Sequence, residues 1–246
     1  KSNWVGLKYF IELFTSVGFK DALVNTLTIN VYKLLVCFPA PILLALMLNE
    51  LKFSAFKRVT QTVLYLPHFV SWVIINFTSV YGGLFNQIRA LFGLEPYTFL
   101  AQKSLFRGIL VVSDLWKETG YGAIIYLSAL LSIDPQLYEA AQIDGANRFQ
   151  RMWHITLSGI KETIVVMLIL RVGSMMSGGF SQVYSLLNDQ VMSVGDTLDT
   201  FVYRMGVSNN RFSYASAAGI FNAVVAAILL FATDRFAKRV GERGLF

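Results

Sequence analysis

The ten residues SDLWKETGYG, 113–122, place Asp114, Trp116, Lys117, Glu118 and Tyr121 inside an otherwise apolar run. On a helix, Asp114, Lys117 and Glu118 share one face, because they stand three and four residues apart. Such groups can pair with one another, line a polar path, or concentrate acid–base chemistry. A second group lies in LRVGSMMSGGFSQVY, 170–184, which supplies Arg171, Met175, Met176, Phe180 and Gln182. Arg171 can meet an outside partner or pair with Asp189 or Asp196. His68 and His154 are isolated, with no Cys or carboxylate at metal-ligand spacing, so no metal site is expected. His68 follows Pro67 and is placed to satisfy a backbone group freed there. No nucleophile triad or paired carboxylates present themselves, so this chain is not read as an enzyme. The Asp114–Glu118 cluster is the one place where a membrane-embedded enzyme could have concentrated its polar groups.

The elements that must hold these residues follow from composition. The chain has 246 residues, 55% of them hydrophobic and only 15% charged, with a mean hydropathy of +0.54. Soluble domains average about 25% charged residues, so this is a membrane protein. Its net charge of +6 comes from Lys and Arg scattered between apolar runs, which excludes a nucleic-acid-binding surface. Cys37 is alone and apolar in context, a buried filler rather than half of a disulfide. Five stretches approach the roughly 20 apolar residues that a bilayer requires: Ala22–Leu48, Thr62–Phe85, Leu105–Leu131, Ile164–Phe180 with its flanks, and Tyr214–Thr233. Pro39, Pro41 and Pro67 must kink their helices or lie at helix ends. Ser174 with Gly178, and Ala215 with Gly219, have the spacing of close helix packing. Lys1 replaces an initiator Met and no signal peptide follows, so a sixth, preceding span is expected.

Lys and Arg are denser in segments 49–61, 132–163 and 234–246 than in the alternate connections, which assigns those three to the cytoplasm. Residues 1–21 then lie outside as an interfacial anchor, mixing Trp4, Tyr9, Phe10 and Phe14 with Lys8 and Glu12. Asn188, Asp189, Asp196 and Asp199 fall in a long outer connection, read as a solvated loop or as a receiver for another protein. The cytoplasmic stretch 132–163 holds a helix over Pro135–Asp144, started by Asp134 as N-cap with Pro135 and stopped by Gly145. At about 15 Å it is too short and too polar to cross a bilayer. It is either a solvated connector or a docking element, and Trp153 follows as an interfacial anchor.

The sequence LSIDPQLYEAAQIDGA followed by ITL resembles the EAA loop of the integral membrane permease subunits of binding-protein-dependent ABC importers. Glu139, Ala140, Ala141, Gly145, Ile155 and Leu157 match that pattern in residue and spacing; Ser158 stands where Pro is usual and Met152 where an aromatic is common. WVGLKYFIELF, NTLTINV, LPHFVSWVI, GYGAIIYLSALL and DRFAKRVGERGLF look like the carbohydrate-uptake branch. GGFSQVYSLLNDQVMSVGDTLDTFVYRMGV is similar to the lipopolysaccharide-type and alginate-type permeases for complex glycans.

The resemblance implies an all-α, polytopic bundle of the type I importer kind over 1–246, in a bacterial inner membrane. Its partners would be a second permease, two ATPase subunits and a solute-binding protein. No G-x-x-x-x-G-K-[ST] loop occurs, so no cofactor is expected on this chain, and ATP with Mg would be used by the ATPase partners. Glu139 would then make the main polar contact to an ATPase, Ala140 and Ala141 the close packing, Asp144 a second contact and Gly145 the turn. The substrate would be an oligosaccharide or polysaccharide fragment, with Asp114, Trp116, Lys117, Glu118, Tyr121, Arg171, Met175, Phe180 and Gln182 as path candidates. Import of another small solute, or ion-coupled secondary transport, is the alternative.

Overall fold

The computed structural model describes residues 5–51, 53–72, 83–177, 179–239 and 244. Every element among them is helical, in agreement with the all-α expectation. In chain order they are α1 (Lys8–Thr15), α2 (Val17–Cys37), α3 (Pro39–Asn49), α4 (Ser54–Tyr65), α5 (Leu84–Leu91), α6 (Lys103–Leu131), α7 (Pro135–Ile143), α8 (Arg148–Arg151), α9 (Lys161–Gly173), α10 (Phe180–Leu186), α11 (Met192–Gly195), α12 (Leu198–Tyr203) and α13 (Phe212–Arg239).

Among the described residues, two continuous apolar helical stretches are long enough to cross a membrane: Val17–Asn49, with 33 residues, and α13, with 28. Pro39 sits at the first position of α3, where its missing N–H costs no helix bond. α6 has 29 residues, about 43 Å of helix, and it carries Lys103, Arg107, Asp114, Lys117 and Glu118 along that length. The expected span Ile164–Phe180 is instead broken. α9 ends at Gly173, Ser174–Met176 form a 3-10 turn, and α10 starts anew at Phe180. Gly179 at φ +107° makes this break, because that conformation is strained for any residue with a Cβ. The expected span Thr62–Phe85 is helical only to Tyr65 and continues as a 3-10 turn, Leu66–Phe69, around Pro67. Residues 73–82 and Gly178 lie outside the described residues, as do Lys1–Trp4 of the interfacial segment. α2 begins at Val17, four residues before the expected end of that segment.

The chain divides into two compact units. The first comprises 1–33, 70–113 and 173–228. Its core holds Ile29, Phe106, Leu110, Val183, Leu186 and Val191, and in the same unit Phe14, Phe19 and Phe221 meet edge to face. The connection between α10 and α13, expected as a solvated loop, is packed instead. Asn25 donates to the carbonyls of Ser193 and Asp196 (3.2 and 3.1 Å), and Arg107 donates to the carbonyl of Val194 (3.1 Å). Asp196 is buried and accepts from Thr200 (2.8 Å) and Arg204. These bonds supply what water would supply to an exposed loop, so the backbone polar groups can be buried. Ala215 packs at Gly206, where a Cβ would lie 3.0 Å from the Ala215 Cβ, whereas Gly219 has no neighbour within 4 Å. The expected Ala215–Gly219 packing face is therefore occupied at its first position alone within the described residues.

The second unit comprises 34–69, 114–172 and 229–246. Ile42, Ala45, Leu48, Ala123, Tyr126, Leu127, Leu130 and Ile160 form its core. Small residues set the helix spacing, as they do where lipid removes the hydrophobic drive for association. A Cβ at Gly120 would fall 1.9 Å from the Leu64 carbonyl oxygen, so α6 and α4 touch backbone to side chain-free backbone. Gly159 admits the Ile133 side chain in the same way.

Candidate functional site

The stretch 132–163 lies wholly in the second unit. Asp134 has extended geometry, and its carboxylate accepts the Gln136 amide proton at 2.9 Å, capping α7 as expected. The far end closes with two bonds, Gly145 N–H to the Gln142 carbonyl (3.2 Å) and Ala146 N–H to the Ala141 carbonyl (2.9 Å), with Gly145 left-handed at φ +77°. This is the Schellman arrangement, which needs glycine for its backbone angle. Asp144 is thus the C-cap, and the helix proper ends at Ile143, one residue short of expectation. No residue of α7 is buried. Glu139, Ala140, Asp144 and Gly145 are exposed and Ala141 half-buried, while Leu137 and Ile143 stand in the open, Ile143 at 86% exposure. The helix thus has both ends satisfied and its apolar residues Leu137 and Ile143 outside.

Asn147 and Gln150 start the return segment with a reciprocal capping box (2.9 and 2.7 Å). Met152–Leu157 then form a π-helix, a feature without a signature in the sequence. Tyr138 of α7 and buried Thr156 of this segment join hydroxyl to hydroxyl at 3.1 Å, which fastens the exposed helix to the returning chain. Ser158, in place of the usual Pro, directs its hydroxyl to the Trp153 carbonyl at 3.4 Å and so helps to satisfy the wide π turn. Trp153 is exposed, as an interfacial anchor would be.

The polar residues of α6 in this unit do not turn only toward one another; each reaches another element. Asp114, 7% exposed, accepts from Arg171 of α9 at 3.2 Å. Lys117, also buried, donates to the carbonyls of His68 and Pro67, within the 3-10 turn after α4. Glu118 meets His68 Nδ1 at 2.8 Å. The His68 ring lies flat on Tyr121 at 3.9 Å, with Phe69 edge-on to both. Two expectations are thereby corrected. The His68 ring is taken up by Glu118 rather than by a backbone group, and the carbonyls of Pro67 and His68 are satisfied instead by Lys117, whose ammonium on the crossing helix can donate to two carbonyls at once. Arg171 pairs with Asp114, and Asp196, one of the acids expected for it, is held by Arg204. Trp116 and Tyr121 are exposed, and the Glu118 and Arg171 side chains are open at 37% and 36%.

The remaining candidates belong to the first unit. Met175 is buried. Gln182 is 1% exposed, and both ends of its amide are engaged: Nε2 donates to the Leu110 carbonyl (2.7 Å) and to Ser113 Oγ (2.8 Å), while Oε1 accepts from Lys33. In this conformation Gln182 therefore presents no polar atom to a passing solute. Phe180 is half-buried at the first position of α10 and lies nearly parallel to Tyr184 at 5.2 Å, with Tyr203 against both. Tyr184, His68 and Lys33 join the candidates through the fold. The Phe180–Tyr184 spacing of four residues is a signal that points to the first of them, and a charge inside the apolar run 22–48 is one that points to Lys33. Among the described residues, no group of His, Cys, Asp and Glu is arranged to hold a metal ion.

Residues 38–243 match the family described as the binding-protein-dependent transport system inner membrane component. Over 250 residues the chain is 47% identical to the polygalacturonan/rhamnogalacturonan transport system permease protein YteP of Bacillus subtilis, covering all of this chain and 78% of YteP. It is 45% identical to the protein LplB of the same bacterium, covering all of this chain and 79% of that one. A solved bacterial ABC transporter involved in the import of the acidic polysaccharide alginate contains a chain that superposes with a TM-score of 0.92 at 41% identity, over 98% of this chain and 86% of that one. A second alginate transporter structure, in complex with a periplasmic protein bound to alginate pentasaccharide, matches with the same TM-score at 40% identity, over 98% and 85%. A capped, exposed helix in the EAA loop, a helical chain built for the membrane and a family match over most of its length agree: the chain belongs to the binding-protein-dependent transport system inner membrane components.

Proposed function

We propose that this chain is the membrane-spanning permease subunit of an ATP-driven importer for oligosaccharides or polysaccharide fragments, acidic glycans of the alginate or pectin kind among them. The glycan is delivered by a solute-binding protein to a complex of this chain, a second permease and two ATPase subunits in the bacterial inner membrane. The observation that carries this reading is α7: held at both ends and through Tyr138, it offers Glu139, Ala140 and Leu137 to a partner while remaining a firm lever. ATP with Mg is used by the ATPase partners, whose closure moves α7 and with it the spans. Glu139 and Asp144 make the polar contacts, Ala140 and Ala141 admit the partner surface, and Gly145 makes the turn.

The glycan passes aromatic faces and polar groups, the combination suited to sugar rings. Trp116 and Tyr121 are exposed and the Glu118 and Arg171 side chains more than a third open, which suits this role; in the other unit the half-buried Phe180 is the aromatic candidate. The names of YteP and of the alginate transporters support an acidic glycan, and the open guanidinium of Arg171 would suit its carboxylates.

Reconstitution of the whole complex in proteoliposomes tests the reading. Alginate or galacturonan oligosaccharides should enter only with ATP and loaded binding protein. Ala141→Arg and Gly145→Val should cut uptake at least tenfold while the complex still assembles; full ATP-driven uptake by both would overturn the coupling assignment. Uptake driven by an ion gradient without ATP would favour a secondary carrier.

A further inference from the structure

The buried lysine of α2 has no role in the reading above. Lys33 lies about halfway along the Val17–Asn49 stretch and is 3% exposed. An ammonium group at such a depth is costly and is kept where it is held and used. Its Nζ donates to Gln182 Oε1. The orientation of that amide is set by chemistry: the other end faces the Leu110 carbonyl, which can only accept, so Nε2 must point there and Oε1 must point to Lys33. Ser113 Oγ holds the same Nε2. Gln182 of α10 is thus clamped between α6 and the α2 ammonium.

The ammonium also lies against the break itself. A Cβ at Gly179 would stand 3.3 Å from Lys33 Nζ, and Gly179 is the left-handed residue immediately before Phe180. The direction in which α10 leaves the break, and with it the direction of the Phe180 ring, is therefore defined by residues packed around one buried cation.

We propose that Lys33 is a positioning residue for translocation: through Gln182 and Gly179 it fixes the start of α10 and aims Phe180 into the glycan path. The second half of this statement rests on the transport reading above; the first half, the pinning of α10, does not.

The test uses the assembled complex in proteoliposomes, with alginate pentasaccharide on its binding protein as the probe. On a Cys37→Ala background, Ser181→Cys, exposed and next to Phe180, reports α10 by its rate of labelling with a water-soluble thiol reagent. Lys33→Met should change that rate at least threefold and lower the number of pentasaccharides imported per ATP hydrolysed at least tenfold. Lys33→Arg, which keeps a cationic donor, should stay within threefold of the parent in both. Lys33→Gln replaces Lys33→Met should the latter not assemble, with the same expected direction. A merely structural role would lower uptake and ATP turnover together and leave their ratio unchanged, which would overturn the proposal, as would an unchanged labelling rate. Phe180→Ala separates the two readings. If it leaves uptake intact, Phe180 is not on the path and the translocation role of Lys33 falls, whereas the labelling result still decides whether Lys33 holds α10.

Discussion

Arg171 Nη2 and Asp114 Oδ2 lie 3.2 Å apart, the acid nearly closed to solvent and the guanidinium more than a third open. The two residues are 57 apart in sequence, and their pairing ties α9 to α6 within one unit. Removing one partner of a buried pair costs about 3–5 kcal/mol, and the openness of Arg171 reduces that to about 1–3 kcal/mol. Asp114→Ala should therefore destabilise the purified complex by that amount. Exchange of the two residues, Asp114→Arg with Arg171→Asp, should recover part of it. Thermal unfolding of the single and double variants measures the coupling, and additive losses would show that the pair contributes nothing.

Gly120 is the point at which α6 meets the α4 backbone. Because a methyl group there would overlap the Leu64 carbonyl, Gly120→Ala must separate the two helices. The loss expected is at least about 3 kcal/mol, the upper range for overpacking. Gly108→Ala, on the same helix with no neighbour within 4 Å among the described residues, should be neutral or stabilising by up to about 1 kcal/mol. The yield of assembled complex and its melting temperature distinguish the two.

Tyr138 holds the exposed helix to the return segment by a single hydroxyl contact with Thr156. Tyr138→Phe should cost about 0.5–1.5 kcal/mol. Its effect should be local: amide hydrogen exchange should rise across Pro135–Ile143 and remain unchanged in α13. Uniform acceleration through the whole chain would mean that the contact is not a local fastener.

Asp199 of α12 is pushed above the ordinary carboxylate range of 3.8 by burial, a shift that its bond from Asn222 (3.3 Å) only partly opposes. Since the folded value is raised, the unfolded chain gives up this proton first. The contribution of Asp199 to stability is therefore greatest below pH 3.8 and is lost as pH rises through the raised value. Asp199→Asn should remove that dependence and raise stability at neutral pH, with the new amide able to donate to Asn222 Oδ1, which has no hydrogen-bond partner among the described residues. Melting curves from acid to neutral pH, compared between the two proteins, test it.

Local features were readable from residue order. The cap at Asp134, the stop at Gly145 and the places of Pro39 and Pro67 each depend on a few neighbouring residues, and all four stand where the local rules put them. The π-helix over Met152–Leu157 was not readable, because its widened turns depend on packing such as that of Thr156 against Tyr138. The loop before α13 misled for a related reason. Asp196 and Asp199 are polar by type, and the distant residues Asn25, Arg107 and Asn222, together with the nearer Thr200 and Arg204, allow their segment to be buried.

Composition and short-range order by themselves determined that the chain is helical, that it belongs in a membrane, and that 134–145 forms a short helix outside the apolar runs. Those properties follow from hydrophobicity and from backbone preferences that act within one or two turns. The tertiary structure alone decided how each ionisable side chain is used: Asp114 with Arg171, Glu118 with His68, and Lys33 with Gln182 across 149 positions of sequence. A charge in an apolar bundle must be satisfied by whichever group the packing brings within about 3 Å, and the order of residues along the chain does not carry that distance.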